Sequence, residues 1–347
     1  INQNTSLKIV EQDLKDAVDV LQHRGPDDAG CYCDHIVGLA HRRLSIIDTS
    51  PAGRQPIFSE DGDIVIVFNG EIYNFQELKK DLIKKGHIFS SDTDTEVVVH
   101  LYQEYGCNLL DMLDGMFAFA LYDTIKKRLF LAKDPFGKKP LFYAWQNQQL
   151  IFSSEIKAIV KYPNFRAEIH QLYLQKYLAF DYIPTPHSIY KSVLKLPAGS
   201  YIFIDINKPI TQNSITPVKY FNIIFTPKLS ISEPEAQEQL KILLVRAIRK
   251  RLISDVPLGI FLSGGLDSGG MLALLAQCGV SQLKTFCIGF NEPDYDESQY
   301  ARQLAALYGT DHHEEILDID SLVQFLPTII ENLDEPFADA SIIPTYL

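Results

Sequence analysis

The sequence feature that most constrains the fold lies between residues 258 and 277. A short apolar strand at residues 258–262 is followed by S-G-G-L-D-S at residues 263–268, and a helical pattern then runs from about Gly269 to Gln277. This order directs backbone N–H groups and the positive end of a helix at one point, which suits a phosphate group. The plainer alternative is a glycine-rich turn that only joins a strand to a helix.

The residue types of this loop favour the phosphate interpretation. Gly264 and Gly265 allow the backbone to approach a ligand closely, and Ser263 and Ser268 add hydroxyl donors. Asp267 would repel a phosphate unless a cation lay between them, so we interpret Asp267 as a ligand of Mg²⁺ or a neighbour of its ligands. The sequence lacks the G-K-S/T ending of a P-loop, so another kind of phosphate loop is predicted.

Strands and helices alternate through the rest of the C-terminal half. Residues 284–290 and 313–317 predict strands and residues 297–308 predict a helix, which together favour an α/β fold with a doubly wound parallel sheet. Ser232 with a Glu three residues later forms a capping box at the start of a helix. The preceding residues 226–232 contain Lys, Pro and Ser and predict a linker.

The N-terminal half has a different pattern, with many short strands and few helices. The predicted strands are apolar runs bounded by turn residues, at residues 64–68, 116–122, 128–132 and 150–152. Helical spacing appears near residues 75–85 and 96–105. This irregular order predicts an α+β sandwich of sheets with helical outer layers.

Composition limits the class of partner. The sequence has 32 Lys and Arg against 44 Asp and Glu, a formal net charge of −12, whereas a nucleic-acid or anionic-membrane binder needs a basic face. No apolar run approaches the roughly 18 residues that a membrane span requires. Five cysteines are few and odd in number, which favours a reducing compartment and predicts a cytoplasmic protein. We therefore expect small-molecule substrates, with no nucleic acid and no membrane.

Together with its strand and helix, S-G-G-L-D-S resembles the pyrophosphate loop of the N-type ATP pyrophosphatases, which cleave ATP between the α and β phosphates. S-D-V-P-L-G at residues 254–259 and D-E-P-F-A-D at residues 334–339 resemble the asparagine synthetase branch of that family. The resemblance implies an ATP site formed by Phe261, Leu262, Ser263, Gly264, Gly265, Asp267, Ser268, Ile288 and Gly289. Gly269 stands where the family usually has a second Ser, and we expect this departure to tune the loop without abolishing it.

Four polar motifs in the first half require explanation. They are H-R-G-P-D-D at residues 23–28, R-R-L-S-I-I-D at residues 42–48, F-N-G-E-I-Y-N at residues 68–74 and S-D-T-D-T-E at residues 91–96. Taken singly, each is more readily explained by structure: a surface loop with an Arg–Asp pair, a cationic strand edge, a strand-ending turn and a helix N-cap.

Taken together, these motifs resemble in order and spacing the class II glutamine amidotransferase domain of glutamine-hydrolysing asparagine synthetases. D-G-M-F-A-F-A at residues 114–120 and D-P-F-G-K-K-P-L at residues 134–141 extend the match. The resemblance covers essentially the whole chain. Lys133 stands where Arg is usual, a difference that the sequence does not explain.

The resemblance assigns roles to residues that could bind free glutamine. Arg43 is expected to bind the carboxylate, and Asp94 and Glu71 the ammonium group. Asn69 and the N–H of Gly70 are expected to form the oxyanion hole for the tetrahedral intermediate. The glutamine-binding set that we predict also includes the residues after Arg43, namely Leu44, Ser45, Ile46 and Ile47.

The nucleophile of this family is the thiol of an N-terminal Cys that is activated by its own α-amine. The match places that Cys a handful of residues before Ile1, so we expect the sequence to omit a short start. Cys31 and Cys33 are not substitutes, because the mechanism requires a free chain-end amine. We likewise expect the acidic S-G-D-G-G-D-E type loop of the family to lie beyond Leu347.

The sequence therefore predicts two domains. Residues 1–205 form a class II glutamine amidotransferase domain with an Ntn-type αββα sandwich, residues 206–231 form a linker, and residues 232–347 form the first part of an ATP pyrophosphatase domain. The resemblance implies that the enzyme uses glutamine, aspartate, ATP and Mg²⁺ to make asparagine through β-aspartyl-AMP. A homodimer is common in the family and is possible here.

Two alternatives remain open at this point. The first is a related amidotransferase or a β-lactam-synthetase-like enzyme that adenylates another carboxylic acid. The second is a catalytically inactive binding or scaffold protein, which the lack of an N-terminal Cys and the presence of Gly269 would favour.

Overall fold

The computed structural model describes residues 1, 9–280 and 283–346, which divide into two compact units. The first unit consists of Ile1–Ile224 with Asp334–Ala338, and the second of Phe225–Leu333 with Asp339–Leu347. Among the described residues, no helix is both long and apolar enough to cross a membrane.

The first unit combines short strands with five described helices. Its helices are α1 (Glu11–Asp19), α2 (Phe75–Lys84), α3 (Asp94–Tyr105), α4 (Ile156–Lys161) and α5 (Gln171–Phe180). Its strands are β1 (Asp28–Cys33), β2 (Gly38–Arg43), β3 (Ile57–Phe58), β4 (Ile64–Ile72), β5 (Gly115–Asp123), β6 (Arg128–Lys133), β7 (Phe142–Gln146), β8 (Gln149–Ser153), β9 (Val193–Lys195), β10 (Ser200–Asp205) and β11 (Val218–Lys219). Short 3₁₀ helices occupy Pro51–Gly53, Gly106–Asp111 and Gln212–Ser214.

The strands of the first unit form two antiparallel layers with the core between them. One layer is a six-stranded sheet in the order β11-β10-β6-β5-β4-β3, and the other contains β8-β7-β9 and the pair β1-β2. Tyr122 and Leu131 from the first layer pack with Leu39, Tyr143 and Leu150 from the second, all buried. Helix α3 contacts β4, and α4 contacts β7 and β8. The predicted αββα arrangement is confirmed.

Strand β4 is longer than its sequence predicts. The apolar run ends at Phe68, but pairing with β5 continues from Ile64 opposite Asp123 to Ile72 opposite Gly115. The polar residues Asn69, Gly70 and Glu71 therefore belong to the strand, and their interpretation as a strand-ending turn is wrong. Backbone pairing with β5 maintains the extended conformation beyond the apolar residues.

The second unit contains a parallel sheet with helices, as predicted. Its strands are β12 (Gly259–Phe261), β13 (Lys284–Phe290) and β14 (Asp311–Leu317), which are parallel and adjacent in that order. Its helices are α6 (Glu233–Lys250), α7 (Leu266–Gln277), α8 (Ser298–Tyr308), α9 (Ile319–Asn332) and α10 (Ile342–Tyr346). The core includes Leu262 from the end of β12, Leu272 from α7 and Ala301 from α8.

Two helix starts in this unit bear on the sequence predictions. Ser232 caps α6 as predicted, because its hydroxyl accepts a hydrogen bond from the N–H of Glu235 at 3.4 Å. Helix α7 begins at Leu266, three residues earlier than predicted, with Gly265 as its N-cap. Asp267 and Ser268 therefore lie in the first turn of the helix and not in the loop before it.

Candidate functional site

The first unit contains a cavity of about 330 Å³ between its sheets and loops. Its walls include eight of the nine residues predicted to bind glutamine: Arg43, Leu44, Ile46, Ile47, Asn69, Gly70, Glu71 and Asp94. Ser45 is not among the lining residues, and its N–H instead donates to Asp27 Oδ2 at 2.7 Å. The lining also includes polar residues that were not predicted, among them Arg24, His41, Gln55 and Lys139.

Gly70 is a glycine because the neighbouring strand leaves no room for a side chain. Its φ is +156°, and a Cβ built there would lie 2.0 Å from the carbonyl oxygen of Met116 and 2.7 Å from the Cα of Phe117. Both residues are on β5, opposite the end of β4. The tight approach fixes the peptide groups around Asn69 and Gly70, the two residues for which the sequence predicts an oxyanion hole, and donors of that kind must be rigid.

Asp94 is a buried carboxyl group at the wall of the cavity. It begins α3, where Thr93 is the N-cap, and its Oδ2 accepts a hydrogen bond from the N–H of Ile72 at 2.7 Å. Burial, with an additional contribution from the charge of Glu71, raises the pKa of Asp94 to about 6 against the opposing effect of that hydrogen bond. A cationic group of a ligand would favour the ionised form of both acids.

Arg43 is buried and orders the loop that follows it. Its Nη1 donates to the carbonyl oxygen of Ser50 at 3.0 Å, and Nη2 donates to the carbonyl oxygens of Ile47, at 3.4 Å, and Asp48. An arginine has five N–H donors, so these three contacts leave others for a ligand in the cavity. The same guanidinium can therefore hold the loop and bind a carboxylate.

Arg24 belongs to the H-R-G-P-D-D motif, which sequence reasoning explained as an Arg–Asp pair. Its Nη1 instead donates to Glu155 Oε1 at 3.1 Å, and His23 Nε2 lies 3.1 Å from the same oxygen. The sequence motif identifies this turn as a polar feature, but it does not predict the pairing, because Glu155 lies 131 positions further along the chain. Lys139 lies within the motif D-P-F-G-K-K-P-L at residues 134–141. Burial lowers the pKa of Lys139, while the charge of Glu71 opposes that change.

The glycine loop of the second unit is held by its own two serines. Ser268 Oγ donates to the carbonyl oxygens of Ser263 at 3.0 Å and Gly265 at 3.2 Å, and the two hydroxyls lie 3.0 Å apart. The N–H of Gly265 donates to Ser263 Oγ at 3.2 Å. A Cβ on Gly264 would lie 2.8 Å from the Cβ of Tyr300 on α8, so close packing also requires this glycine.

The residues around this loop differ in how accessible they are. Phe261 is 81% exposed, whereas Leu262 is 1% exposed and packs in the core, so only the backbone of Leu262 can face a ligand. Ile288 and Gly289 lie on β13, where a Cβ on Gly289 would be 2.5 Å from Ile316 Cδ1. The loop thus presents exposed hydroxyl and N–H groups beside the end of β12.

Asp267 is an exposed acid in the first turn of α7. Within residues 9–280 and 283–346, no group of three or more His, Cys, Asp or Glu is arranged to hold a metal ion. Mg²⁺ is commonly held by one or two carboxylates together with phosphate oxygens of a substrate. The donor set at Asp267 fits a metal that arrives with a polyphosphate, and does not provide a cage made by protein alone.

Comparison with known protein families matches both units. Residues 2–215 match the glutamine amidotransferase domain, and residues 239–347 match asparagine synthase. Among solved structures, the glutamine phosphoribosylpyrophosphate amidotransferase of Bacillus subtilis covers 97% of this chain and 93% of its own, with a TM-score of 0.48 and 15% identity. A similarity this low supports no functional argument.

Curated relatives resemble the chain along nearly its full length. Asparagine synthetase (glutamine-hydrolysing) 1 of Bacillus subtilis is 36% identical over 97% of this chain and 52% of its own. The putative asparagine synthetase (glutamine-hydrolysing) 2 of Methanocaldococcus jannaschii is 35% identical over 98% of this chain and 68% of its own. The chain thus spans between about half and two thirds of these relatives, and it belongs to the glutamine-hydrolysing asparagine synthetase family.

Proposed function

We propose that the protein containing this chain makes asparagine from aspartate, with ATP and with ammonia released from glutamine. The observation that carries the proposal is the cavity of the first unit, which is lined by Arg43, Asn69, Gly70, Glu71 and Asp94 together. A cation, two acids and a rigid strand end match the carboxylate, ammonium and amide groups of glutamine. The family membership of the chain supports the same function.

In the proposed glutaminase reaction, the first unit binds and orients glutamine. Arg43 binds the α-carboxylate, and Asp94 with Glu71 binds the α-ammonium group. The side-chain amide then lies near Asn69 and Gly70, whose N–H groups stabilise the oxyanion of the tetrahedral intermediate. Since Asp94 is buried and its pKa is raised, the ammonium group of glutamine would keep it ionised.

We propose that the nucleophile is an N-terminal Cys on a segment that precedes Ile1. The pairing of Ile1 supports this position: its N donates to the carbonyl oxygen of Leu150 at 2.9 Å, and the N–H of Leu150 donates back at 3.0 Å. This is an antiparallel pairing, so an upstream segment would follow β8 towards Ser153. Ser153 and the β2 residue His41 both line the cavity.

In the second unit we propose that the glycine loop binds the polyphosphate of ATP and that Asp267 helps to hold Mg²⁺. The first-turn N–H groups of α7 have no acceptors within the helix, and Ser263 is exposed beside them. Mg²⁺ would supply charge neutralisation of the phosphates. Residues 1–205 would then serve as the glutaminase domain and 232–347 as the start of the synthetase domain. Of the proposed linker 206–231, residues 206–224 pack with the first unit, so the connection between the domains would be confined to residues 225–231.

Exchange of labelled pyrophosphate into ATP tests the proposed substrate. With the full-length protein, we expect exchange to require aspartate, because only an adenylated carboxylate makes the cleavage of ATP reversible. Exchange that requires another carboxylic acid would contradict aspartate and favour the related amidotransferases. Absence of both exchange and glutamine hydrolysis would favour the inactive homologue.

Two substitutions test the division of labour between the units. Asp267→Asn is expected to abolish ATP-dependent synthesis while glutamine hydrolysis continues. Arg43→Ala is expected to abolish glutamine hydrolysis, while ATP-dependent synthesis from added ammonium salt should continue. Equal loss of both activities in either variant would contradict the assignment.

A cytoplasmic location and a homodimer are further parts of the proposal. Sedimentation of the full-length protein tests whether it forms a homodimer.

A further inference from the structure

The backbone of Phe68 is held by two side chains from other parts of the first unit. Gln55 Oε1 accepts a hydrogen bond from the N–H of Phe68 at 2.6 Å, and Gln55 Nε2 donates to the carbonyl oxygen of Phe68 at 3.1 Å. His41 Nε2 lies 3.0 Å from the same carbonyl oxygen. Phe68 immediately precedes Asn69 and Gly70, so these contacts fix the peptide group that leads into the proposed oxyanion hole.

Gln55 replaces a strand partner that β3 does not provide. Strand β3 pairs with β4 only at Ile57 opposite Ile66 and at Phe58 opposite Val65. Gln55 lies two residues before β3, and its side-chain amide makes the donor and acceptor contacts with Phe68 that a further ladder residue would make. Gln55 and Phe68 are both buried, where an unpaired N–H or carbonyl group is costly.

His41 acts as a fixed hydrogen-bond donor. Burial lowers its pKa to about 4, so the imidazole is neutral near pH 7 and only one ring nitrogen carries a proton. A carbonyl oxygen can only accept, so the proton lies on Nε2. The Nε2–H group therefore points at Phe68, and Nε2 is not available as a base.

We propose that Gln55 and His41 are positioning residues that aim the oxyanion-hole groups of Asn69 and Gly70. The two side chains hold the Phe68–Asn69 peptide plane from one side, while β5 confines Gly70 from the other. Oxyanion-hole donors are effective only when they are held close to their productive positions. The proposal rests on the proposed glutaminase function.

Glutamine hydrolysis by the full-length protein tests the proposal through two apolar substitutions. Gln55→Met and His41→Phe are expected to lower kcat about tenfold or more, while KM changes less than about threefold. The expected loss is smaller than the roughly 10²–10³-fold loss that follows removal of an oxyanion-hole donor itself, because these side chains only position the donors. His41→Gln keeps an N–H donor of similar reach and is expected to recover most of the loss. Synthesis from ammonium salt should be unchanged in all three variants.

Gln146 provides a matched control. Its Oε1 accepts from the N–H of Arg166 at 2.6 Å and its Nε2 donates to the carbonyl oxygen of Arg166 at 3.1 Å, the same pattern on a backbone outside the cavity lining. Gln146→Met is expected to leave kcat unchanged. An unchanged kcat in Gln55→Met, or His41→Gln no more active than His41→Phe, would overturn the positioning role.

Amide hydrogen exchange separates this proposal from the proposed function. Gln55→Met should speed exchange at Phe68, Asn69 and Gly70 relative to wild type, whether or not glutamine is hydrolysed. If the wild type does not hydrolyse glutamine, the proposed function fails while the exchange result still decides the positioning claim. Unchanged protection at these three amides would refute that claim even in an active enzyme.

Discussion

Asp94 is a buried carboxyl group whose ionisation depends on what occupies the cavity. Its burial and the neighbouring Glu71 raise its pKa to about 6, whereas the proposed contact with an ammonium group requires the carboxylate. In the proposed site, proton binding and glutamine binding would therefore compete at the same group. This competition would give glutamine binding a pH dependence that an exposed aspartate would not produce near neutral pH.

We predict that the affinity for glutamine falls about tenfold between pH 7 and pH 5, because the free carboxyl group must lose a proton before it binds the ammonium. Asp94→Asn should weaken binding at pH 7 and flatten this dependence. Titration calorimetry across the range measures both effects. A wild-type affinity that is constant from pH 7 to pH 5 would show that Asp94 does not bind the ammonium.

Gly70 allows a second prediction for a single residue. Gly70→Ala should destabilise the first unit by about 3 kcal/mol or more, because its Cβ would collide with Met116 and Phe117. Gly86→Ala is the matched control: Gly86 also has a positive φ, of +99°, but nothing lies within 4 Å of a Cβ there. Urea unfolding should show a larger loss of stability for Gly70→Ala than for Gly86→Ala. Equal losses of stability would mean that the positive φ alone, and not the collision, causes the effect.

The first turn of α3 shows how an element can depend on one acid. Glu96 is buried and accepts hydrogen bonds from the N–H groups of Ser90 and Ser91, each at 2.8 Å. Burial alone would raise the pKa of Glu96, but these contacts and His100 lower it to about 2. The acid thus ties the preceding loop to the helix start, beside the proposed ligand residue Asp94.

Because the folded-state pKa of Glu96 lies below its ordinary value of 4.5, its contribution is present above pH 4.5 and is lost as the pH falls towards about 2. We predict that Glu96→Gln costs roughly 3 kcal/mol at pH 7 and progressively less below pH 4.5. Glu77→Gln, at the equivalent exposed position of α2, should change stability by less than about 0.5 kcal/mol. Denaturant unfolding at several pH values tests this, and a cost that is independent of pH would refute it.

The elements also show how far sequence patterns reach. Apolar runs and turn residues predicted β4 and α3, which carry Asn69, Gly70 and Asp94, and Ser232 predicted the start of α6. They did not predict β2, which carries His41 and Arg43. The predicted end of β4, at Phe68, was wrong because pairing with β5, and not local composition, extends that strand to Ile72. The predicted start of α7 was wrong because Gly265 is the N-cap of the helix. The sequence motif does not distinguish an N-cap glycine from a glycine within a loop.

Long-range pairing limits sequence prediction most strongly at the scale of the whole molecule. D-E-P-F-A-D resembles a synthetase motif, yet Asp334–Ala338 belongs to the first unit. There Asp334 accepts hydrogen bonds from the N–H groups of Ile156 and Lys157, and Glu335 pairs with Lys195. Arg24, His41 and Gln55 reach the cavity in a similar way, through contacts between segments distant in sequence. Local periodicity carries no information about such contacts.

The Lys195–Glu335 pair therefore makes the stability of the first unit depend on a segment more than 100 residues beyond β11. Both side chains are largely buried, with 16% and 17% exposed, and burial raises the pKa of Glu335 while Lys195 opposes that change. Lys195 Nζ also donates to the carbonyl oxygen of Ile183 at 2.7 Å. Removal of the cation would leave the Ile183 carbonyl without this donor. The Glu335 carboxylate would keep the hydrogen bond from the N–H of Ile189 at 3.2 Å but would lose its neutralising charge.

We predict that Lys195→Met destabilises the first unit by about 3 kcal/mol, the usual cost of breaking a buried ion pair from one side. Lys191→Met is the matched control, since Lys191 and Glu168 form an exposed pair, 49% and 66% exposed, and its loss should cost under about 1 kcal/mol. Glu335→Gln in the Lys195→Met background should restore part of the loss, because the neutral amide no longer needs a cation. Denaturant unfolding of the three variants measures these differences. Equal costs for Lys195→Met and Lys191→Met would mean that burial does not strengthen the pair, and that the Asp334–Ala338 segment is not held by its charge.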